Sequence, residues 1–150
     1  MADQLRILVP ADEEQRISRY MMAWVNGYPD IPAAITRVDF EQLAADRPGL
    51  ALSTIQAAYL RRRYIYGGHE GEYQFKLIYR IKPGTSNDAR LKADELLNAI
   101  GDWAAQNLPD LGEDVRVKRV EVTARSSLFA AYENGDEDHQ ILMRMIYEVI

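Results

Sequence analysis

Arg61, Arg62 and Arg63 are the side chains whose type and spacing most invite a specific chemistry. Guanidinium forks recognise carboxylates in two-point contacts. Three in succession on a β-prone run put cations on both faces of a strand, which one small domain cannot wholly bury. Two uses fit this pattern. One is a solvated strand end that discourages edge pairing; the other is a contact with carboxylates of a second subunit. The matching carboxylates lie in Glu133-Asn134-Gly135-Asp136-Glu137-Asp138. That acidic tip lacks the alternating Asp spacing and terminal Glu of a calcium loop. It reads either as a solvated, mobile loop or as a partner contact.

Nothing else in the chain has the spacing of a catalytic or ligand site. His69 and Glu70 fall in Gly67-Gly68-His69-Glu70-Gly71, a glycine-rich stretch without the Gly-Lys-Ser/Thr ending of a phosphate loop. It joins two strands instead of opening a helix, so it reads as a hairpin turn whose residues face a partner or water. The two histidines, His69 and His139, both fall in or beside predicted loops and are expected to be solvated. Ser53, Ser86, Ser126 and Ser127 do not lie in a Gly-x-Ser-x-Gly elbow. Asp12, Glu13 and Glu14 are neighbours only in sequence; at a helix start they splay apart and cap. We therefore expect no catalytic residue, metal ligand or cofactor, and the pattern points to assembly.

The elements that position these residues follow from periodicity. Pro10 to Gln15 reads as a helix start, with Asp12 as cap and Gln15 completing a capping box. Ile17, Tyr20, Met21 and Trp24 follow helical spacing, and Asn26-Gly27 stops the helix. Tyr28 to Pro32 is an extended connector, because its prolines bar helix and central strand alike. Residues 35–43 predict a strand and residues 46–49 a turn, and residues 50–66 return as a long strand or a bent pair. After the turn at 67–71, Tyr73, Phe75, Leu77, Tyr79 and Ile81 alternate with Gln74, Lys76, Ile78, Arg80 and Lys82.

Pro83-Gly84 ends that arm, and Thr85 to Asp88 offer caps for a second helix. Its stripe is Ala93, Leu96, Leu97, Ile100, Trp103 and Ala104, with Gly101 costing about 1 kcal/mol relative to alanine. Residues 115–124 and 139–149 read as strands, and 125–138 as the loop between them. Both faces of the last strand are largely apolar, which places it inside the sheet. The expected fold class is α+β: a mainly antiparallel sheet packed against two amphipathic helices, in one domain spanning 1–150.

Composition agrees with a folding chain and narrows its partners. Of 150 residues, 47% are hydrophobic and 27% charged, enough of each for a core and a solvated surface. A net charge of −5 argues against specific nucleic-acid binding, which needs a basic face. The absence of cysteine removes disulfides and thiolate metal sites. The N-terminal residues lack the basic start and apolar core of a secretory signal, and no apolar run is long enough for a membrane span.

A family resemblance can be placed on these residues. Tyr64-Ile65-Tyr66-Gly67-Gly68 followed by Tyr73-Gln74-Phe75 resembles the central hairpin of minor capsid or minor tail proteins from long-tailed bacteriophages. The likeness continues through Trp103, Leu108-Pro109-Asp110-Leu111, Asp138-His139-Gln140-Ile141 and Tyr147-Glu148, covering roughly residues 59–149. These proteins belong to the head-tail joining region and are tail-terminator-like. The resemblance implies a structural subunit, found in the host cytoplasm during assembly and then in the virion. It implies partners among its own copies, commonly as a hexameric ring, and among other tail or head-completion proteins. DNA would pass through an acidic lumen without sticking, and no small-molecule substrate is implied. The alternative is a protein-binding adaptor. An acetyltransferase role, suggested by labels on some such proteins, fits least, because Gln-Ile-Leu follows His139 where a His-His-x-x-x-Asp-Gly-like motif is needed.

Overall fold

The apolar stripes dictate two helices over one face of a sheet, and the computed structural model has that architecture. It describes residues 7–150, apart from the side chains of 56 and 57. In chain order the elements are α1 (Ala11–Val25), β1 (Val38–Phe40), β2 (Gly49–Arg63), β3 (His69–Ile81), α2 (Asn87–Gln106), β4 (Val115–Ala131) and β5 (Glu137–Val149). The five strands pair in the order β1-β2-β3-β5-β4. All neighbours are antiparallel except β1 and β2, so the fold is α+β. Among the described residues no helix is long and apolar enough to cross a membrane.

One face of the sheet carries the core. Tyr73, Phe75 and Leu77 of β3 and Ile141, Met143, Met145 and Tyr147 of β5 are buried there. They meet Ile17, Met21 and Val25 of α1 and Leu97, Ile100 and Ala104 of α2. The helices also touch each other, Trp24 stacking on Trp103 at 5.3 Å. Burial of these aromatic and aliphatic surfaces is the main stabilising term. Gly101 belongs to this packing: a Cβ there would lie 2.8 Å from Ile141 Cδ1 and 2.9 Å from Val122 Cγ2. Its absent side chain is therefore what lets α2 approach the sheet, not a simple loss of helix propensity.

The other expectations are met unevenly. Helix α2 starts where its cap predicts, Ser86 Oγ accepting from Ala89 N at 3.1 Å. Helix α1 instead starts behind Pro10, with no side-chain cap, so Asp12 does not close a capping box. The strand expected over 35–43 shrinks to Val38–Phe40 and runs parallel to β2. Glu41 and Asp46 adopt left-handed backbone, with φ of 63° and 62°, and these corners carry the chain back to start β2 in the same direction as β1. The outer edge of β2 is covered a second time by the segment before α1. Val9 N donates to Ala58 O and Leu60 N to Ile7 O.

The largest correction concerns 125–138, expected as a loop. Residues 125–131 continue β4, which reaches Ala131 with four register irregularities, and β5 already begins at Glu137. Bulges let an edge strand accept polar residues such as Arg125, Ser126 and Ser127 without keeping strict alternation. β5 lies inside the sheet, between β3 and β4.

Candidate functional site

The sheet ends in two hairpins, and the sequence-predicted site residues divide between them. The β2–β3 turn occupies residues 64–68, closed by Tyr64 N to Gly68 O at 3.1 Å. His69, Glu70 and Gly71 are therefore strand residues and not turn residues. Gly68 has φ 81°, and a Cβ on it would lie 2.2 Å from Val149 O, so only glycine fits between the turn and the last strand. Tyr64 and Tyr66 stack at 5.2 Å, and Tyr64 Oη donates to Glu148 Oε2 at 2.9 Å. At the tip, Ile65 and Tyr66 are 106% and 81% exposed. The exposed Ile150 lies beside the turn, because His69 pairs with Val149, and the exposed Ile7 flanks the same end of β2.

Behind this tip, on the face away from the helices, the arginines meet carboxylates of their own chain. Arg61 bonds Glu70 through Nε at 2.8 Å and Glu72 through Nη1 at 2.9 Å. Lys118 Nζ donates to Glu70 at 2.7 Å and Gln74 Nε2 to Glu72 at 2.6 Å. Burial alone would raise the Glu70 and Glu72 carboxyls, but these donors outweigh it and hold both below the usual range. Arg62 reaches Glu70 at 3.5 Å and lies over the Tyr64 ring. Arg63 is exposed and has no ion pair among the described residues.

The β4–β5 end is the reverse. Asp136 and Asp138 are each only 2% exposed, and Glu137 is buried as well, while Glu133 is exposed. Asp138 takes a two-pronged contact from Arg80, Nε at 2.7 Å and Nη2 at 2.8 Å, plus the Tyr132 hydroxyl at 2.8 Å. Hydrogen bonding to Asp138 raises the Arg80 guanidinium further above its ordinary value. Glu137 is gripped by Arg90 of α2, which lowers its carboxyl, and Asp136 accepts from Asp46 N at 3.0 Å, which lowers it too. The predicted solvated acidic tip is thus a set of internal braces. A buried carboxylate that lacked such donors would be strongly destabilising, which is why the fold brings Arg80 and Arg90 here.

Neither histidine is a solvated loop residue. His69 Nε2 lies 2.9 Å from Glu13 Oε2, and the Tyr147 hydroxyl donates to that same oxygen at 2.8 Å. Burial first, and then this hydrogen bond, raise the Tyr147 hydroxyl well above its ordinary value. His139 is buried on β5, its Nδ1 2.8 Å from Asp94 Oδ1. Ser126 Oγ donates to the same Asp94 oxygen at 2.7 Å. Serine, histidine and aspartate therefore meet, but the serine gives its proton to the carboxylate and not to the imidazole. That geometry ties α2 to β4 and β5 and does not prepare a nucleophile. Glu13, expected to splay outward and cap the helix start, is instead buried and makes no cap, and its contact with Tyr147 and His69 is what sequence reasoning missed. It lies four residues before Ile17 and eight before Met21, so a carboxylate standing on the apolar stripe was the available signal.

Among the described residues, no three His, Asp or Glu side chains are grouped to hold a metal ion. Neither the protein-family models nor the curated proteins compared with the chain gave a match.

Proposed function

We propose that the chain is a structural subunit of phage virion assembly, working at tail completion or head-tail joining, as its resemblance to tail-terminator-like proteins implies. One observation carries the reading: Ile65 and Tyr66 stand in water on a turn that is otherwise firmly held. Side chains this exposed bury little surface in their own fold, and an aromatic protrusion flanked by Arg62 and Arg63 is suited to insertion into a partner. Glu133 remains a candidate contact on the same grounds of exposure, whereas Asp136, Glu137 and Asp138 act inside the subunit. The subunit works in the host cytoplasm and then in the virion.

Sedimentation across a concentration series, at low and high salt, tests this reading. The expected result is a discrete, salt-sensitive oligomer of about six chains, alone or on purified tail tubes. A monomer that ignores tail tubes overturns it. The same exposed tip also favours a protein-binding adaptor, which would bind a host protein and leave tail tubes untouched.

A further inference from the structure

We propose that the β2–β3 tip of one copy seats in the groove between α1 and β1–β2 of the next copy. This rests on the self-assembly reading above and names its two surfaces. The groove has a volume of about 640 Å³ and is lined by Glu14, Arg19, Met22, Phe40, Glu41 and Thr54, among others. That volume lies within the range of pockets that enclose whole ligands, and so accommodates two side chains such as Ile65 and Tyr66.

The chemistry of the two surfaces is complementary. Phe40 is exposed and Met22 partly buried, giving the groove an apolar floor. Glu14 and Glu41 stand at its walls, each using one carboxylate oxygen internally, toward Ala58 N and Thr54 Oγ1 respectively. The other oxygens face Arg62 and Arg63 when the tip enters, and Arg19 leaves the groove with one more negative than positive charge. Tip-to-tip pairing would instead set these arginines against their own copies, which like-charge repulsion opposes.

A subunit cannot fill its own groove. Thr54 and Arg63 are separated by nine residues of β2, roughly 30 Å of strand. Two side chains cover only part of the ~800 Å² each partner buries in a stable interface. Ile7 and Ile150, exposed at the same end of the sheet, extend the contact. Because tip and groove are different surfaces, a contact made in one direction leaves a free tip and a free groove, and so repeats into a ring or a filament.

The chain has no cysteine, which makes the test direct. Single variants Tyr66→Cys and Phe40→Cys are mixed and treated with a short bismaleimide, free and bound to tail tubes. Linked dimers are expected in the mixture and not in either variant alone, and Tyr66→Asp should weaken association about tenfold or more. An oligomer that gives no mixed link, or links Tyr66→Cys to itself, overturns the inference while leaving virion assembly standing. A monomer that also ignores tail tubes overturns both. Unchanged circular dichroism and unfolding midpoint confirm that each variant folds.

Discussion

The two hairpin ends of this sheet carry similar sequence signals and put them to opposite uses. Both combine a glycine turn, an aromatic neighbour and a cluster of charge. At the β4–β5 end the charges are matched within the chain: Arg80 and Tyr132 hold Asp138, and Arg90 holds Glu137. At the β2–β3 end the charges just behind the turn are matched, but the tip side chains Ile65 and Tyr66 stand largely in water, Tyr66 touching its own chain by stacking on Tyr64. Charge density in a sequence therefore says little about where a protein meets its partners. An apolar side chain left in water on a rigid turn says more.

The sharpest way to break the comparison is at the internally satisfied end. Asp138→Ala leaves the Arg80 guanidinium without its two-pronged partner and should cost about 3 kcal/mol, read as a lower urea midpoint. A loss within experimental error would mean that this end is not a brace.

Gly71 marks where the exposed tip gives way to packed structure. A Cβ there would lie 2.4 Å from the Tyr147 ring and hydroxyl. Gly71→Ala should therefore cost about 2 kcal/mol by displacing Tyr147 from Glu13. An unchanged midpoint would place the boundary further from the turn.

Acid should act on both ends. Glu70 and Glu72 on one side, and Asp136 and Glu137 on the other, are held below their ordinary values of 4.5 or 3.8. A carboxyl held low in the folded chain takes up protons more readily once unfolded. Its stabilisation is complete above the ordinary value and is lost as pH falls through the lowered one. Urea midpoints between pH 7 and pH 3 should decline on the acid side of about 4.5, and Glu70→Gln should flatten that decline.

The smallest effect on stability belongs to the tip. Tyr66→Ser should change unfolding by less than about 0.5 kcal/mol while lowering association in sedimentation. A stability loss comparable to that of Asp138→Ala would show that the tip is part of the fold after all.

The sequence made the architecture readable wherever one period ran undisturbed. The stripe from Ala93 to Ala104 and the alternation from Tyr73 to Ile81 returned α2 and β3. It misled where bulges break the period, as in Arg125-Ser126-Ser127, whose polar residues look like a loop and form an edge strand. The acidic run at 133–138 misled for a different reason. Its partners Arg80 and Arg90 come from β3 and α2, and no local pattern connects a carboxylate to a guanidinium 58 or 47 residues away. The exposed tip was only half legible. Tyr64-Ile65-Tyr66 has the composition of a strand, and only the glycines that follow turn it outward.

The Glu13 carboxylate links the first helix to the last strand, bonding Tyr147 across 134 positions of chain. With the bonds between Ser18 and Tyr73 and from Ala58 N to Glu14, this directional bond helps set where α1 sits along the close-packed sheet face. It also sets a schedule. At roughly 5–20 residues per second of synthesis, α1 is made many seconds before Tyr147 exists, and its final seating waits until Tyr147 has been made.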